Sequence, residues 1–425
     1  KGNISLSEII KGIRKLVIVD ISLDRENDNP QLIFESLNST GLDLSQADLI
    51  RNYILMGLDT NEQKRLYETY WYRMEQDFGQ TNYTKNFDRF MRDFLTLKSK
   101  SGNIPTLSLV YDEFKMYCNN NNVEIEKVIK DIYHYSKHFT ALLLHKHENL
   151  LIRDTLEDIH VLKVDVSYPF LMEVLEDYSK GLIDESELQT ILLMVESYVF
   201  RRAVCGIPTN SLNKTFATFT RSIVDKENYL ESIKAKFLLL DTYRRFPSDE
   251  EFKQSFLSKD VYNFRNRNYF LRKLENFDRK EKVNVDDYTI EHIMPQNENL
   301  SSSWRESLGE DWKTIQSQFL HTIGNLTLTG YNPELSDKSF KEKKNMKGGF
   351  SDSPIRLNDE LRKLDDWNKK TILDRTQIIS DKAVKVWSMY PILEEKLVNY
   401  KKDTEKKEIE KYSIEDHKEF LKDDI

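Results

Sequence analysis

The chain has 425 residues, of which 39% are hydrophobic and 32% are charged, and this length allows two or three domains. Thirteen glycines and nine prolines suit a helix-rich globular protein, and no apolar run reaches the roughly 20 residues that a membrane-spanning helix needs. The net charge of −8 argues against a protein that coats nucleic acid non-specifically, although a local basic surface is compatible with it.

The first sixty residues predict one strand and two helices. The chain begins Lys-Gly-Asn without a signal-peptide pattern, so we expect a fragment of a longer protein. Residues 15–23 read as a strand, and residues 33–50 begin with a short helix that Gly41 interrupts. Ser45, with Asp48 three residues later, is a typical N-cap for a second helix that ends near Leu58.

Residues 61–280 are predicted to be helical almost throughout. Apolar residues recur there at helical spacing in two places, namely Phe87, Phe90, Met91 and Phe94, and then Leu188, Ile191, Leu192, Val195 and Val199. We interpret the aromatic side chains as packing between helices rather than as platforms on which bases stack. Cys118 and Cys205 lie far apart in apolar helical contexts, which indicates buried thiols in a reducing cytoplasm.

Two adjacent arginines in this helical region allow two interpretations. Within residues 198–213, Gly206 is predicted to end one helix and Pro208 to begin the next. Arg201 and Arg202 cannot face the same way on a helix. One of them could contact phosphate, and the other could pair with a carboxylate on a neighbouring helix.

Four histidines in the same region raise the question of a zinc site. His134 and His138 are four residues apart on a predicted helix, and His145 and His147 follow. Paired histidines can bind zinc. No cysteine is close in sequence and no glutamate lies between the first pair, so we favour ordinary helix residues.

Residues 288–296 and 324–328 have the pattern of two short strands. The stretch between them predicts helical pieces at 302–308 and 311–319, anchored by Trp304 and Trp312. A turn and a charged, helix-like run at 335–347 follow. This order of strand, long loop, strand, turn and helix is the layout of a ββα-metal finger. We therefore predict a mainly helical protein with a small ββα core near its C-terminus.

The polar residues of this finger suit phosphodiester hydrolysis. The ordinary pKa of a histidine lies close to neutral pH, so its imidazole can accept a proton from water there. We predict this role of general base for His292. Carboxylate and amide oxygens are ligands that Mg²⁺ or Mn²⁺ accepts, which points to Glu291 and Asn332 as metal ligands. Asn325 is predicted to tie the loop to the second strand and to orient His292. His321 could bond within the loop or approach a phosphate, and we favour the former.

Three motifs follow one another in this part of the chain: Glu-His-Ile-Met-Pro-Gln, Ile-Gly-Asn-Leu-Thr-Leu, and Asn332 with Phe-Lys-Glu-Lys-Lys. In this order they resemble the HNH-type (His-Me finger) nuclease domain of GmrSD-like type IV restriction enzymes. The resemblance implies a metal-dependent endonuclease of bacterial defence that cleaves DNA, including modified phage DNA. Two features differ from the commoner HNH pattern: the acidic residue is Glu291, and about thirty residues separate the strands.

The beginning of the chain resembles the end of the ParB-like domain of the same proteins. That domain's Asp-Gly-Gln-Gln-Arg motif is absent here, so nucleotide use is not assigned to this chain. Glu35 and Asn38 could face a pocket of the intact domain, but we favour turn and cap residues. The predicted organisation is a ParB-like remnant at 1–60, a helical linker domain at 61–280, the nuclease domain at 281–391, and a charged tail or further module at 392–425.

Lysines cluster near Asn332, at positions 338, 341, 343, 344 and 347. Such a run can be a solvated helix face or a phosphate-binding surface, and we predict DNA contacts for Lys341, Lys343 and Lys344. A long helix from 367 to 390 is predicted to pack on the finger, because a ββα unit alone has too small a core.

Three functions remain open at this level. The leading one is the metal-dependent endonuclease, for which we predict DNA as the partner and no association with a membrane. A homo-oligomer is compatible with this function. The second is a DNA-binding or sensing protein whose finger does not cleave. The third, a nucleotide-driven enzyme, would need the missing N-terminal part.

Overall fold

The computed structural model describes residues 5–17, 44–99, 103–121, 124–219 and 227–401. It is mainly helical with one two-stranded antiparallel sheet near the C-terminal end of the described chain, as predicted. Residues 15–17, the described part of the predicted first strand, form a turn and irregular chain. The rest of that strand, Glu35, Asn38 and residues 412–417 lie outside the described residues.

The helices before the sheet are, in chain order, α1 Leu6–Ile13, α2 Gln46–Leu55, α3 Thr60–Leu66, α4 Tyr72–Phe78, α5 Gln80–Lys98, α6 Val110–Asn121, α7 Ile125–Leu143, α8 Leu150–Val161, α9 Tyr168–Ser179, α10 Glu185–Val204, α11 Leu212–Phe219, α12 Tyr229–Leu238, α13 Asp249–Ser255 and α14 Arg267–Asn276. A π-helical turn, Tyr67–Trp71, joins α3 to α4. In the described part of the chain, no helix is both long and apolar enough to cross a membrane.

The first compact unit comprises residues 1–95 and 105–134. Ser45 caps α2 as predicted, because its side chain accepts a hydrogen bond from the amide of Asp48. The helix ends at Leu55, earlier than expected. Phe87 and Phe90 are buried with their rings 5.5 Å apart, and they pack with Trp71 and Phe78. The aromatic stripe therefore belongs to a core, as predicted.

The second compact unit comprises residues 96–104 and 135–425, and α10 runs through its interior. Arg201 and Arg202 are both buried on this helix, so neither is available to a phosphate. Arg201 donates to the carbonyl of Trp387 at 2.6 Å and lies 2.7 Å from Asp249 on α13. Arg202 donates to the carbonyl of Tyr243 at 2.8 Å. Both arginines hold loops against the helix, because a buried guanidinium needs acceptors.

The finger is built on strands β1, Thr289–His292, and β2, Leu326–Thr329, which place Glu291 opposite Thr327 and His292 opposite Leu326. Between the strands lie α15, Ser302–Leu308, and α16, Trp312–Phe319. After β2 come α17, Asn332–Leu335, and α18, Phe340–Asn345. A buried cluster under these elements includes Ile293, Met294, Leu300, Trp304, Phe319, Leu335, Phe340 and Trp367.

The last helices, α19, Asp359–Lys363, and α20, Lys369–Val386, complete the second unit. Gly324 lies so close to α20 that an added Cβ would be 2.3 Å from Thr376 Oγ1. Buried Arg375 donates to the carbonyls of Ile323, Gly324 and Leu326. The predicted long helix therefore exists, and it fixes the chain that leads into β2.

Candidate active site

The local geometry of β1 separates the two residues expected to do the chemistry. Successive side chains of a strand point to opposite faces. Glu291 and His292 are neighbours on β1, and they are only 3% and 4% exposed. The carboxylate and the imidazole consequently have different surroundings.

Glu291 forms a buried ion pair with Lys343 of α18. Lys343 Nζ lies 2.5 Å from Glu291 Oε1 and donates a second hydrogen bond to the carbonyl of His292 at 2.9 Å. Burial raises the pKa of Glu291 and lowers the pKa of Lys343, and their mutual attraction offsets part of each shift. The ammonium group of Lys343 thus occupies the position beside Glu291 where a metal ion was expected.

Asn332, at the start of α17, lies along the same edge of β1. Its Nδ2 donates to the carbonyl of Ile290 at 2.8 Å and faces Thr289 Oγ1 at 3.3 Å. These contacts fix which end of the amide is nitrogen, because only Nδ2 can donate to a carbonyl. The half-buried side chain keeps Oδ1, the atom that can bind a metal, away from Ile290.

His292 forms a pair with His321, which lies in the loop before β2. Their Nε2 and Nδ1 atoms are 3.0 Å apart. Burial first, and then the nearby His321 and Lys343, lower the pKa of His292 to about 3. His292 is therefore neutral at physiological pH, which is the form that a general base needs. Nδ1 of His292 can accept a proton from water in the tautomer in which Nε2–H of His292 donates to Nδ1 of His321.

A segment before α14, which carries no recognisable motif, packs on this histidine pair. The ring of Tyr262 stacks on His321 at 5.2 Å with an interplanar angle of 13°, and its centroid is 4.5 Å from that of His292. The amide of Val261 donates to the carbonyl of His321 at 2.8 Å. Burial alone would raise the pKa of Asp260, but hydrogen bonds from Asn263 lower it, and the nearby His321 adds to this effect. Sequence reasoning missed Tyr262, because a lone aromatic residue some thirty positions upstream of β1 gives no signal of its own.

Asn325 is fully buried and ties the chain after β1 to the chain before β2. Its Oδ1 accepts hydrogen bonds from the amide of Met294 at 2.7 Å and from the indole of Trp367 at 3.2 Å. Its Nδ2 donates to the carbonyls of Met294 and Leu320 at 3.1 and 3.0 Å. The predicted link between loop and strand is present, and any effect on His292 passes through the backbone.

The three lysines expected at DNA have different surroundings. Lys341 is exposed. Lys344 donates to the carbonyl of Leu364 at 2.6 Å and lies 3.4 Å from the exposed Asp365. Lys343, by contrast, is fully buried against Glu291, because the register of α18 turns this one side chain inward. A surface contact with DNA is therefore open to Lys341, whereas Lys343 would first have to leave the core.

The histidines of α7 have a carboxylate partner that is distant in the sequence. His138 Nε2 lies 3.0 Å from Oε2 of Glu176 on α9, and His134 is one turn earlier on the same helix. Lys180 is 2.8 Å from Glu176 and also competes for this carboxylate.

Comparison with known proteins places the finger in a family. Residues 246–382 match the family model of the GmrSD restriction endonucleases, C-terminal domain. No curated protein shows significant similarity to the chain. The match includes both strands, the histidine pair, Tyr262, Asn332 and most of α20. Residues 246–382 are therefore a GmrSD restriction endonuclease C-terminal domain.

Proposed function

We propose that this protein is a metal-dependent DNA endonuclease of the HNH type, acting in bacterial defence, in which His292 accepts a proton from the attacking water. The family is one of restriction endonucleases, so DNA is its substrate. The observation that carries the proposal is the 3.0 Å contact between His292 and His321. This contact supports a neutral imidazole that is held in one orientation. A general base needs such an orientation, because the water that it activates must lie in line with the phosphate.

The residues that would hold a divalent cation are Asn332 and Glu291. Asn332 fits this role, because its Nδ2 contacts Ile290 and leaves Oδ1 as a hard oxygen ligand of the kind Mg²⁺ and Mn²⁺ accept. Glu291 fits it only after Lys343 leaves the carboxylate, since the two are paired at 2.5 Å. A bound cation would neutralise negative charge at the phosphate and at the leaving oxygen.

The remaining proposed roles belong to positioning and DNA contact. Asn325 holds the backbone on either side of the histidine pair through Met294 and Leu320. Lys341, exposed on α18, would contact the phosphate backbone and contribute to affinity rather than to sequence recognition. Lys344 can contribute in the same way from its half-buried position, whereas Lys343 belongs to the Glu291 pair.

A plasmid-nicking assay in Mg²⁺ and Mn²⁺ tests the proposal. We expect His292→Ala to reduce nicking at least ~100-fold, the usual contribution of a general base, while circular dichroism and DNA binding stay near wild type. A matched control is His160→Ala, which removes an exposed histidine outside the finger. Full nicking by His292→Ala, or equal loss in both variants, would refute the role of His292.

The ion pair of Glu291 and Lys343 favours one alternative, a DNA-binding protein whose finger does not cleave. A carboxylate that is already neutralised by an ammonium group is not free to bind a metal ion. Wild-type protein that binds DNA yet nicks no plasmid in Mg²⁺, Mn²⁺ or Zn²⁺ would establish this alternative. Metal-dependent nicking that His292→Ala abolishes would exclude it.

A further inference from the structure

A cleft of about 370 Å³ lies beside β1 and reaches Tyr262, the residue that packs on the histidine pair. Its polar lining includes Tyr262, Arg267, Asn268, Asp286, Thr289 and Asn332, and Tyr288 also lines it. Asn332, the proposed metal ligand, therefore belongs to the wall of this cleft. Tyr262, which contacts His292 and His321, belongs to the same wall. The volume is in the range of sites that hold a small ligand or a single nucleotide unit.

Arg267 supplies the positive charge of this cleft. Its guanidinium lies over the ring of Tyr262, with Cζ 5.4 Å from the ring centroid, and it also donates to the carbonyl of Tyr262. Among the described residues, no carboxylate forms an ion pair with Arg267. An arginine held against an aromatic ring is oriented without being neutralised, so its remaining N–H groups keep their charge for an anion.

We propose that Arg267 binds the phosphate of the nucleotide next to the scissile bond, and that Tyr262 is the positioning residue that sets the distance from this phosphate to His292. The inference rests on the proposed function of the finger as a nuclease. A guanidinium offers a planar pair of donors that matches two phosphate oxygens. Thr289 and Asn268 offer neutral polar groups to the same unit. Asp286 opposes an anion, but it is exposed, so solvent screens its charge.

The first test measures DNA binding without cleavage. In a His292→Ala background, Arg267→Gln should weaken the binding of a duplex oligonucleotide about tenfold, as followed by fluorescence anisotropy. It should also lower the slope of log K against log[salt] by about one, since one phosphate contact is lost. The matched control, Arg265→Gln, removes an exposed arginine that does not line the cleft and should change affinity less than twofold.

A second test separates this inference from the nuclease proposal. Bis(p-nitrophenyl) phosphate is a diester without neighbouring nucleotides, so wild type and Arg267→Gln should hydrolyse it equally, while Arg267→Gln loses DNA cleavage through a raised KM. Tyr262→Leu removes the ring and should lower kcat on DNA by a larger factor than it raises KM. Tyr262→Phe keeps the ring and should have the kcat of the wild type.

The outcomes are distinguishable. Unchanged DNA affinity and salt slope in Arg267→Gln, or equal losses in Arg265→Gln, would overturn the phosphate assignment whether or not the protein cleaves. Loss of diester hydrolysis in an Arg267→Gln protein with wild-type Tm would also overturn it, because Arg267 would then act at the scissile phosphate itself. A wild type that hydrolyses neither substrate would contradict the nuclease proposal, and the binding comparison would still decide the role of Arg267.

Discussion

Replacing Lys343 by methionine should destabilise the finger strongly, because it leaves the carboxylate of Glu291 buried without a counter-ion. The two side chains are 1% and 4% exposed, and their charged atoms are 2.5 Å apart. Removing one partner of a buried pair costs about 3–5 kcal/mol, since the remaining charge keeps its desolvation penalty. The carbonyl of His292 also loses a hydrogen bond. We therefore expect Lys343→Met to lower the free energy of unfolding by about 4 kcal/mol.

A double-mutant cycle tests whether this cost comes from the pair. Glu291→Met with Lys343→Met removes both charges and keeps similar volume, so the double variant should be more stable than Lys343→Met alone. The cost of Lys343→Met should shrink as pH falls, because a protonated Glu291 is cheaper to bury. Urea unfolding, followed by tryptophan fluorescence, gives the free energies.

The neighbouring residue Lys344 provides the control for the same cycle. Its ammonium is near an exposed Asp365 and donates one hydrogen bond to the carbonyl of Leu364, so Lys344→Met should cost about 1 kcal/mol, well below the cost of Lys343→Met. A cost below about 1 kcal/mol for Lys343→Met, or a double variant whose loss equals the sum of the two single losses, would show that Glu291 and Lys343 are not coupled in the folded protein.

Three further predictions concern the same domain. Arg375→Leu leaves four buried carbonyls without their donor and should lower the free energy of unfolding by at least about 3 kcal/mol in urea titration, whereas an unchanged value would contradict the contacts. Gly324→Ala should cost about 1–3 kcal/mol by overpacking against α20, and adding Thr376→Ala should recover part of its Tm. His292, whose pKa is lowered to about 3 in the folded protein against 6.5 ordinarily, stabilises the fold fully above pH 6.5 and progressively less as pH falls toward 3. His292→Gln should flatten that part of the profile of unfolding free energy against pH, and an unaltered slope would show that His292 is not buried in its neutral form.

Several elements of the protein follow from local sequence. The two strands, the capped helix at Ser45 and the helices between the strands depend on side-chain periodicity and on turn and cap residues, which act over a few positions. Asn325 is recognisable because it follows a glycine in a short strand motif, and it forms the predicted link between loop and strand. Alternation along β1 is also a local property, and it is enough to predict that Glu291 and His292 lie on opposite faces.

The sequence by itself determined both strands and most helices of the finger, and which family the finger belongs to. Only the tertiary structure decided the partners: Lys343 for Glu291, His321 for His292, and Tyr262 with Arg267 beside them. His292 and His321 are 29 positions apart in the sequence, and Glu291 and Lys343 are 52 positions apart. Local periodicity specifies the face on which a side chain lies, whereas its neighbour across the core depends on how α18, the loop before β2 and the segment before α14 pack together.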